Sequence, residues 1–164
     1  MKHSLIVLAC VLSTSLVHGQ AASFQSLTAP CPSTSGPLAV SGLPKIGGSF
    51  SVNGVMYPGL CTRRFCGCNV GQCNLCRGSV LVLGLVQASI PLPGGCDLQC
   101  TPDILVFGSM TVNIPSNPGL SGFVFYLQRM DLALQEMITP SCTKAYVPTA
   151  FRGFSNLVRG VVGT

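Results

Sequence analysis

The chain has 164 residues, of which 48% are hydrophobic and only 8% charged, with a formal net charge of +5. Charge this sparse and scattered excludes the basic, aromatic-interleaved stripe of a nucleic-acid binder, and the length suits one domain with a modest core of its own. The surface must then be built from Ser, Thr, Asn, Gln, Gly and Pro, and weakly charged surfaces repel one another little, which favours self-association.

At the N-terminus, Lys2 and His3 precede an apolar run from Leu5 to Leu12, and Val17-His18-Gly19 places compact residues at a cleavage site. This layout predicts a secretory signal over residues 1–19 and an extracellular protein. The run is shorter than the roughly 20 residues a bilayer span requires, so no membrane span is expected. Cleavage after Gly19 would leave Gln20 first. The remainder carries Lys45, Arg63, Arg64, Arg77, Arg129, Lys144, Arg152 and Arg159 against Asp97, Asp103, Asp131 and Glu136, a difference of 8 − 4 = +4. Such a weakly basic surface suits anionic glycans as partners.

Ten cysteines occur, and Cys10 falls inside the expected signal, which leaves nine: Cys31, Cys61, Cys66, Cys68, Cys73, Cys76, Cys96, Cys100 and Cys142. In an exported chain, this density reads as a disulfide framework. The spacings Cys66-Gly67-Cys68 and Cys73-Asn74-Leu75-Cys76 also suit thiolate metal ligands, but an oxidising compartment favours disulfides, so no metal or other cofactor is expected. Nine is odd. One thiol is left either free and buried as a small hydrophobe or paired with another chain.

In chain order, residues 20–45 are rich in Ser, Thr and Pro and read as an extended lead-in that Cys31 ties to the body. Residues 46–164 form the single domain. A first strand is expected around Gly47–Val52, where small or polar and apolar residues alternate. Residues 57–77 form a Cys-rich loop insert. Ser79–Ile90 reads as one buried strand by length and β-branching, followed by a turn at Pro91–Gly95. Ile104–Phe107 and Met110–Ile114 are two further strands, and Pro115–Gly119 is a turn. Gly122–Gln128 is an aromatic strand with Phe123 and Phe125 on one face and Val124 and Tyr126 on the other. Alternation at Met130, Leu132 and Leu134 continues that strand, against a composition that favours helix. Residues 143–162 read as a strand with an irregular or helical end. Short strands punctuated by Gly and Pro predict an all-β fold, a small disulfide-stabilised antiparallel β-sandwich with a Cys-rich loop insert.

From about Gly47 to Leu134 the chain resembles a domain of secreted bacterial proteins of planctomycete type. The likeness lies in Gly48-Ser49-Phe50-Ser51-Val52, Val82-Leu83-Gly84, Pro93-Gly94-Gly95-Cys96-Asp97-Leu98 and Pro102-Asp103-Ile104-Leu105. It continues through Ile114-Pro115, Pro118, Leu120, Gly122, Phe125-Tyr126 and Gln128. The resemblance implies a small β-sandwich and brings no catalytic residues. In style the chain also resembles the Cys-rich secreted proteins of invertebrate shell or mantle matrices.

Both histidines, His3 and His18, lie in the expected signal, which removes the usual general base and the commonest zinc ligand from the rest. Asp97, Asp103, Asp131 and Glu136 could supply a glycosidase pair, but Asp97 and Asp103 read as turn residues. No catalytic residues are expected. Tyr57, Tyr126 and Tyr146, with the phenylalanines, are candidates for an aromatic surface that takes glycans or apolar ligands, core packing being the commoner use of such side chains. The leading expectation is a secreted, non-enzymatic structural protein of an extracellular matrix that associates with itself or with other matrix components. The alternative is a soluble extracellular module binding a glycan or an apolar ligand.

Overall fold

The computed structural model describes residues 19–27, 31, 36–54, 72–92, 95–138 and 144–164. Residues 1–18 of the expected signal, Tyr57, Cys61, Cys66, Cys68, Cys142 and the greater part of the Cys-rich insert lie outside them. The fold is all-β and antiparallel. Its strands are β1 (Ser23–Ser26), β2 (Ala39–Gly42), β3 (Ser49–Asn53), β4 (Gln72–Gly84), β5 (Gln87–Leu92), β6 (Cys96–Cys100), β7 (Ile104–Phe107), β8 (Met110–Asn113), β9 (Val124–Ile138), β10 (Lys144–Phe154) and β11 (Val158–Val161).

Two long strands form the spine. β9, at about 3.3 Å per residue, runs roughly 50 Å, and β4 pairs along it from Gln72↔Met137 to Gly84↔Tyr126. The other edge of β9 is shared: β11 takes Val124–Leu127 and β10 takes Met130–Ile138. β1 extends the sheet beyond β11, and β7 closes the opposite edge beside β4. The strand reading of residues 129–138 holds over the helical one. Both faces of β9 are covered, so its residues sort by period two and helix propensity has no say.

One face of this six-stranded sheet packs against the three-stranded sheet β2-β3-β8. Phe50 and Val52 of β3 meet Leu81 and Leu83 of β4, Phe125 and Leu127 of β9, and Val158 and Val162 at the C-terminus. The opposite face carries the β5-β6 ribbon, where Leu98 and Cys100 pack with Val82, Phe154 and Leu157. Cys31 is disulfide-bonded to Cys96 at the start of β6, and the Cys31 carbonyl accepts from the Phe154 N–H at the end of β10. The bridge therefore fastens the ribbon onto the main sheet, and Cys31 ties its segment to the body as expected.

Several sequence expectations change, among them the turn expected at 91–95, whose Pro91 and Leu92 belong to β5 and pair with Asp97 and Cys96. The insert's last residues, 72–77, belong to β4 and not to a loop. The single strand expected over Ser79–Ile90 reverses at Leu85-Val86 into β4 and β5. That reversal is held from outside: the Leu85 N–H donates to Asp103 Oδ2 at 2.7 Å, and the Val86 N–H to Thr101 Oγ1 at 3.2 Å. The 20–45 segment contributes β1 and β2. Finally, the expected irregular or helical end is strand β11, reached through a break at Ser155–Leu157.

Side chains replace the missing ladder bonds at that break. The Arg129 N–H donates to Ser155 Oγ at 2.9 Å, and the Ser155 N–H donates to the Arg129 carbonyl. Asn156 Oδ1 accepts from the Leu38 N–H, and its Nδ2 donates to Ser26 Oγ. Gln128, fully buried, donates to the Ser155 carbonyl and accepts from the Gln99 N–H.

Candidate functional site: an apolar pocket between the sheets

Where the two larger sheets diverge, beyond the Phe50 end of β3, they leave a pocket of about 270 Å³. Its floor comes from Phe50 on β3, Leu83 on β4 and Phe125 on β9. Its walls are Val112 on β8, Ile114 and Pro115 in the following loop, and Val162. Leu120, from a 3-10 turn at Pro118–Leu120, and Phe123 and Leu85 complete the rim. Asn113 is the one polar side chain among the lining residues.

Local chemistry explains how these side chains reach the pocket. Val112 of β8 and Ile114, just past the strand's end, both line the pocket, as two residues spaced by the strand's period of two do. Asn117 then caps the 3-10 turn, its Oδ1 accepting from the Gly119 N–H at 2.9 Å, and Pro118 supplies a preset φ at the turn's first position. The turn points Leu120 inward instead of leaving an apolar residue on a loop. Phe123 and Phe125 face the same side, as their alternation predicts. Behind them the rings of Phe50 and Phe125 stack at 5.4 Å, and Phe24 of β1 meets both edge-on at 5.2 and 6.1 Å. The floor is thus a rigid aromatic cluster.

Such a pocket can hold carbon and little else. At roughly 30 Å³ per water- or methylene-sized group, its volume admits about nine such groups. A sugar, whose hydroxyls need several convergent donors and acceptors, would meet only Asn113 and the backbone.

Tyr126 and Tyr146 do not come together. Tyr126 and Tyr146 stand near opposite ends of β9. Tyr126 lies half-buried on the face covered by the β5-β6 ribbon, and Tyr146 is exposed opposite Glu136, ten positions along β9 and so about 33 Å away. Tyr57 is outside the described residues.

The sulfur atoms divide. Cys31 and Cys96 are paired, and Cys76 is disulfide-bonded. Cys73 sits in β4. Cys100 does not belong to the disulfide framework, contrary to expectation: it carries a free thiol at 0% exposure, on the face of the ribbon packed against the main sheet. Burial, then the charge of Asp103, push its pKa up to about 12, so it is the inert hydrophobe of the two alternatives for an unpaired cysteine. No three His, Cys, Asp or Glu side chains converge among the described residues.

The carboxylates hold structural contacts. Asp103 accepts from Thr101 Oγ1 and the Leu85 N–H, which keep its carboxyl below the usual range; this is the turn role expected of it. Asp97 lies inside β6, not on a turn, and accepts from Ser89 Oγ. Asp131 is paired with Arg129, and Glu136 is buried in β9.

Of the pocket residues, Val112, Ile114 and Leu120 are not offered as ligand contacts by the sequence, whereas Phe123 is already placed on one face with Phe125. The usable signal was an apolar residue on each side of, and within, a Pro/Asn/Gly turn that ordinarily carries polar side chains. No known protein family, characterised protein or solved structure matches the chain.

Proposed function

We propose that this protein is a secreted, non-enzymatic module that binds a small apolar ligand between its sheets. The observation that carries the reading is the pocket of about 270 Å³ with a single polar side chain in its lining. Solvated apolar concavities of this kind are costly to leave open in a monomer and are the usual form of a ligand site. A chain of about eight buried methylenes contributes roughly 0.8 kcal/mol each, near 6 kcal/mol in all, which corresponds to a dissociation constant of tens of micromolar. The Cys31–Cys96 disulfide supports export, because such bonds persist in oxidising compartments. The non-enzymatic reading rests on residues 20–164 lacking histidine and on Asp97, Asp103 and Asp131 each being held in a structural contact.

Displacement of N-phenyl-1-naphthylamine by decanoic acid tests this. The wild type should bind both, and Leu120→Trp, which fills the pocket from a half-buried turn, should weaken binding by more than about tenfold without shifting the unfolding midpoint. A wild type that takes up neither probe, or a Leu120→Trp variant that binds equally well, rejects the reading.

The structural-matrix reading is favoured by a separate feature, the uncharged open edge of the main sheet at β7.

A further inference from the structure

β7 is an outer strand of the main sheet, and although it is only four residues long it carries no charge, proline or bulge to shield its edge. Residues 104–114 contain no charged residue and β7 contains no proline, and its pairing with β4 runs without a bulge from Ile104↔Leu83 to Phe107↔Val80. The unpaired N–H and C=O groups of such an edge are a template for pairing with another chain. Leu105 and Phe107 are 57% and 62% exposed.

The ladder fixes which backbone groups point outward. The Gly108 N–H donates to the carbonyl of Ser79 directly opposite it. Antiparallel pairs alternate between hydrogen-bonded and non-bonded, so Val106 and Ile104 direct their N–H and C=O groups to Leu81 and Leu83. Leu105 and Phe107 direct theirs away from β4, where they meet no partner among the described residues.

We infer that β7 pairs antiparallel with β7 of a second copy of this chain, about a twofold axis through Val106. This goes beyond the ligand-binding reading and does not depend on it. The open groups are spaced for that partner. With Val106 opposite Val106 of the second copy, Leu105 faces its Phe107 and Phe107 its Leu105. Both are then hydrogen-bonded pairs, each exchanging two N–H···O bonds. The same register places two Leu–Phe side-chain pairs on one face, each burying apolar surface that is exposed in the single chain. On the other face Ile104 meets Gly108 of the second copy, which has no side chain to obstruct it. No charge within β7 opposes its own image across the axis, so the edge is complementary to itself, as a twofold interface requires. The two main sheets become one continuous sheet.

Sedimentation velocity of the purified chain across an about hundredfold concentration range tests this, since dimerisation follows mass action. The wild type should pass from monomer to dimer. Leu105→Pro removes an outward N–H and none of the bonds to β4, and proline is tolerated at an edge position of this kind; it should weaken association by about tenfold or more. Phe107→Lys, on an already exposed side chain, should give a monomer with an unchanged unfolding midpoint and unchanged naphthylamine binding. Tyr146→Lys, exposed on β10, should dimerise like the wild type. A wild type monomeric throughout, whatever else β7 is found to pair with, overturns the inference, as does a dimer that survives both β7 substitutions.

Discussion

Arg129 Nε lies 2.9 Å from Asp131 Oδ1, with both side chains almost wholly out of solvent. The two residues are two apart on β9 and therefore share a face, and Arg129 Nη2 also donates to the Gly36 carbonyl at 2.8 Å. This pair fastens the segment before β2 to the spine. Breaking a buried ion pair by removing one partner typically costs about 3–5 kcal/mol. Asp131→Asn should lose that much stability in urea denaturation. The double variant Arg129→Met, Asp131→Leu should lose less than Asp131→Asn alone, because apolar groups of similar size need no compensation.

Gly160 of β11 lies directly opposite Phe125 of β9. A Cβ at Gly160 would stand 2.3 Å from the Phe125 ring, so the ring can lie over the strand only because no side chain is there. Gly160→Ala should destabilise by about 1–3 kcal/mol. Since Phe125 also floors the pocket, the same variant should bind the naphthylamine probe more weakly, read by fluorescence titration.

The Cys31–Cys96 bridge spans a sequence separation of 65 residues. Loop-closure entropy assigns such a bond about 4 kcal/mol, and loss of a native disulfide typically costs 2–5 kcal/mol. Cys31→Ser with Cys96→Ser should lower stability by that amount. The amide protons of β5 and β6 should lose more protection from hydrogen exchange than those of β3, because the bond holds the ribbon and not the opposite sheet.

Sequence reasoning reaches this fold wherever local chemistry decides it. Glycine- and proline-bounded strands, the alternation along Met130, Leu132 and Leu134, and the facing of Phe123 with Phe125 were all legible. What escaped is decided at a distance. The reversal at Leu85-Val86 has an apolar tip and is held by Asp103 and Thr101 from a later turn. Gly84 before it admits the Thr101 carbonyl to 2.3 Å of where a Cβ would sit, a close approach that no local pattern announces. β1 exists because β11 pairs with it, and β11 because Ser155 and Asn156 supply bonds the ladder lacks. The pocket was invisible for the same reason: its lining comes from β3, β4, β8, β9 and the C-terminus, and only their packing brings it together.

The buried thiol of Cys100 gives a pH signature. Its pKa rises from 9.0 to about 12 on folding, so below pH 9 it is protonated in both states and its contribution is intact. Above pH 9 the unfolded chain releases the proton while the native chain holds it, and stability falls until about pH 12, at roughly 1.4 kcal/mol per unit. Denaturation midpoints between pH 9 and 11 should fall more steeply in the wild type than in Cys100→Ala. In native protein at neutral pH the thiol should resist a maleimide and react only on unfolding.

Photolabelling with a diazirine-bearing decyl probe, followed by mass spectrometry of the peptides, tests ligand binding between the sheets most directly. Labels concentrated on Val112–Phe125 and Val162, and suppressed by excess decanoic acid, are the expected result. Unsaturable labelling spread over the exposed side chains of β7 and β10, with none at Leu120 or Phe123, would contradict it.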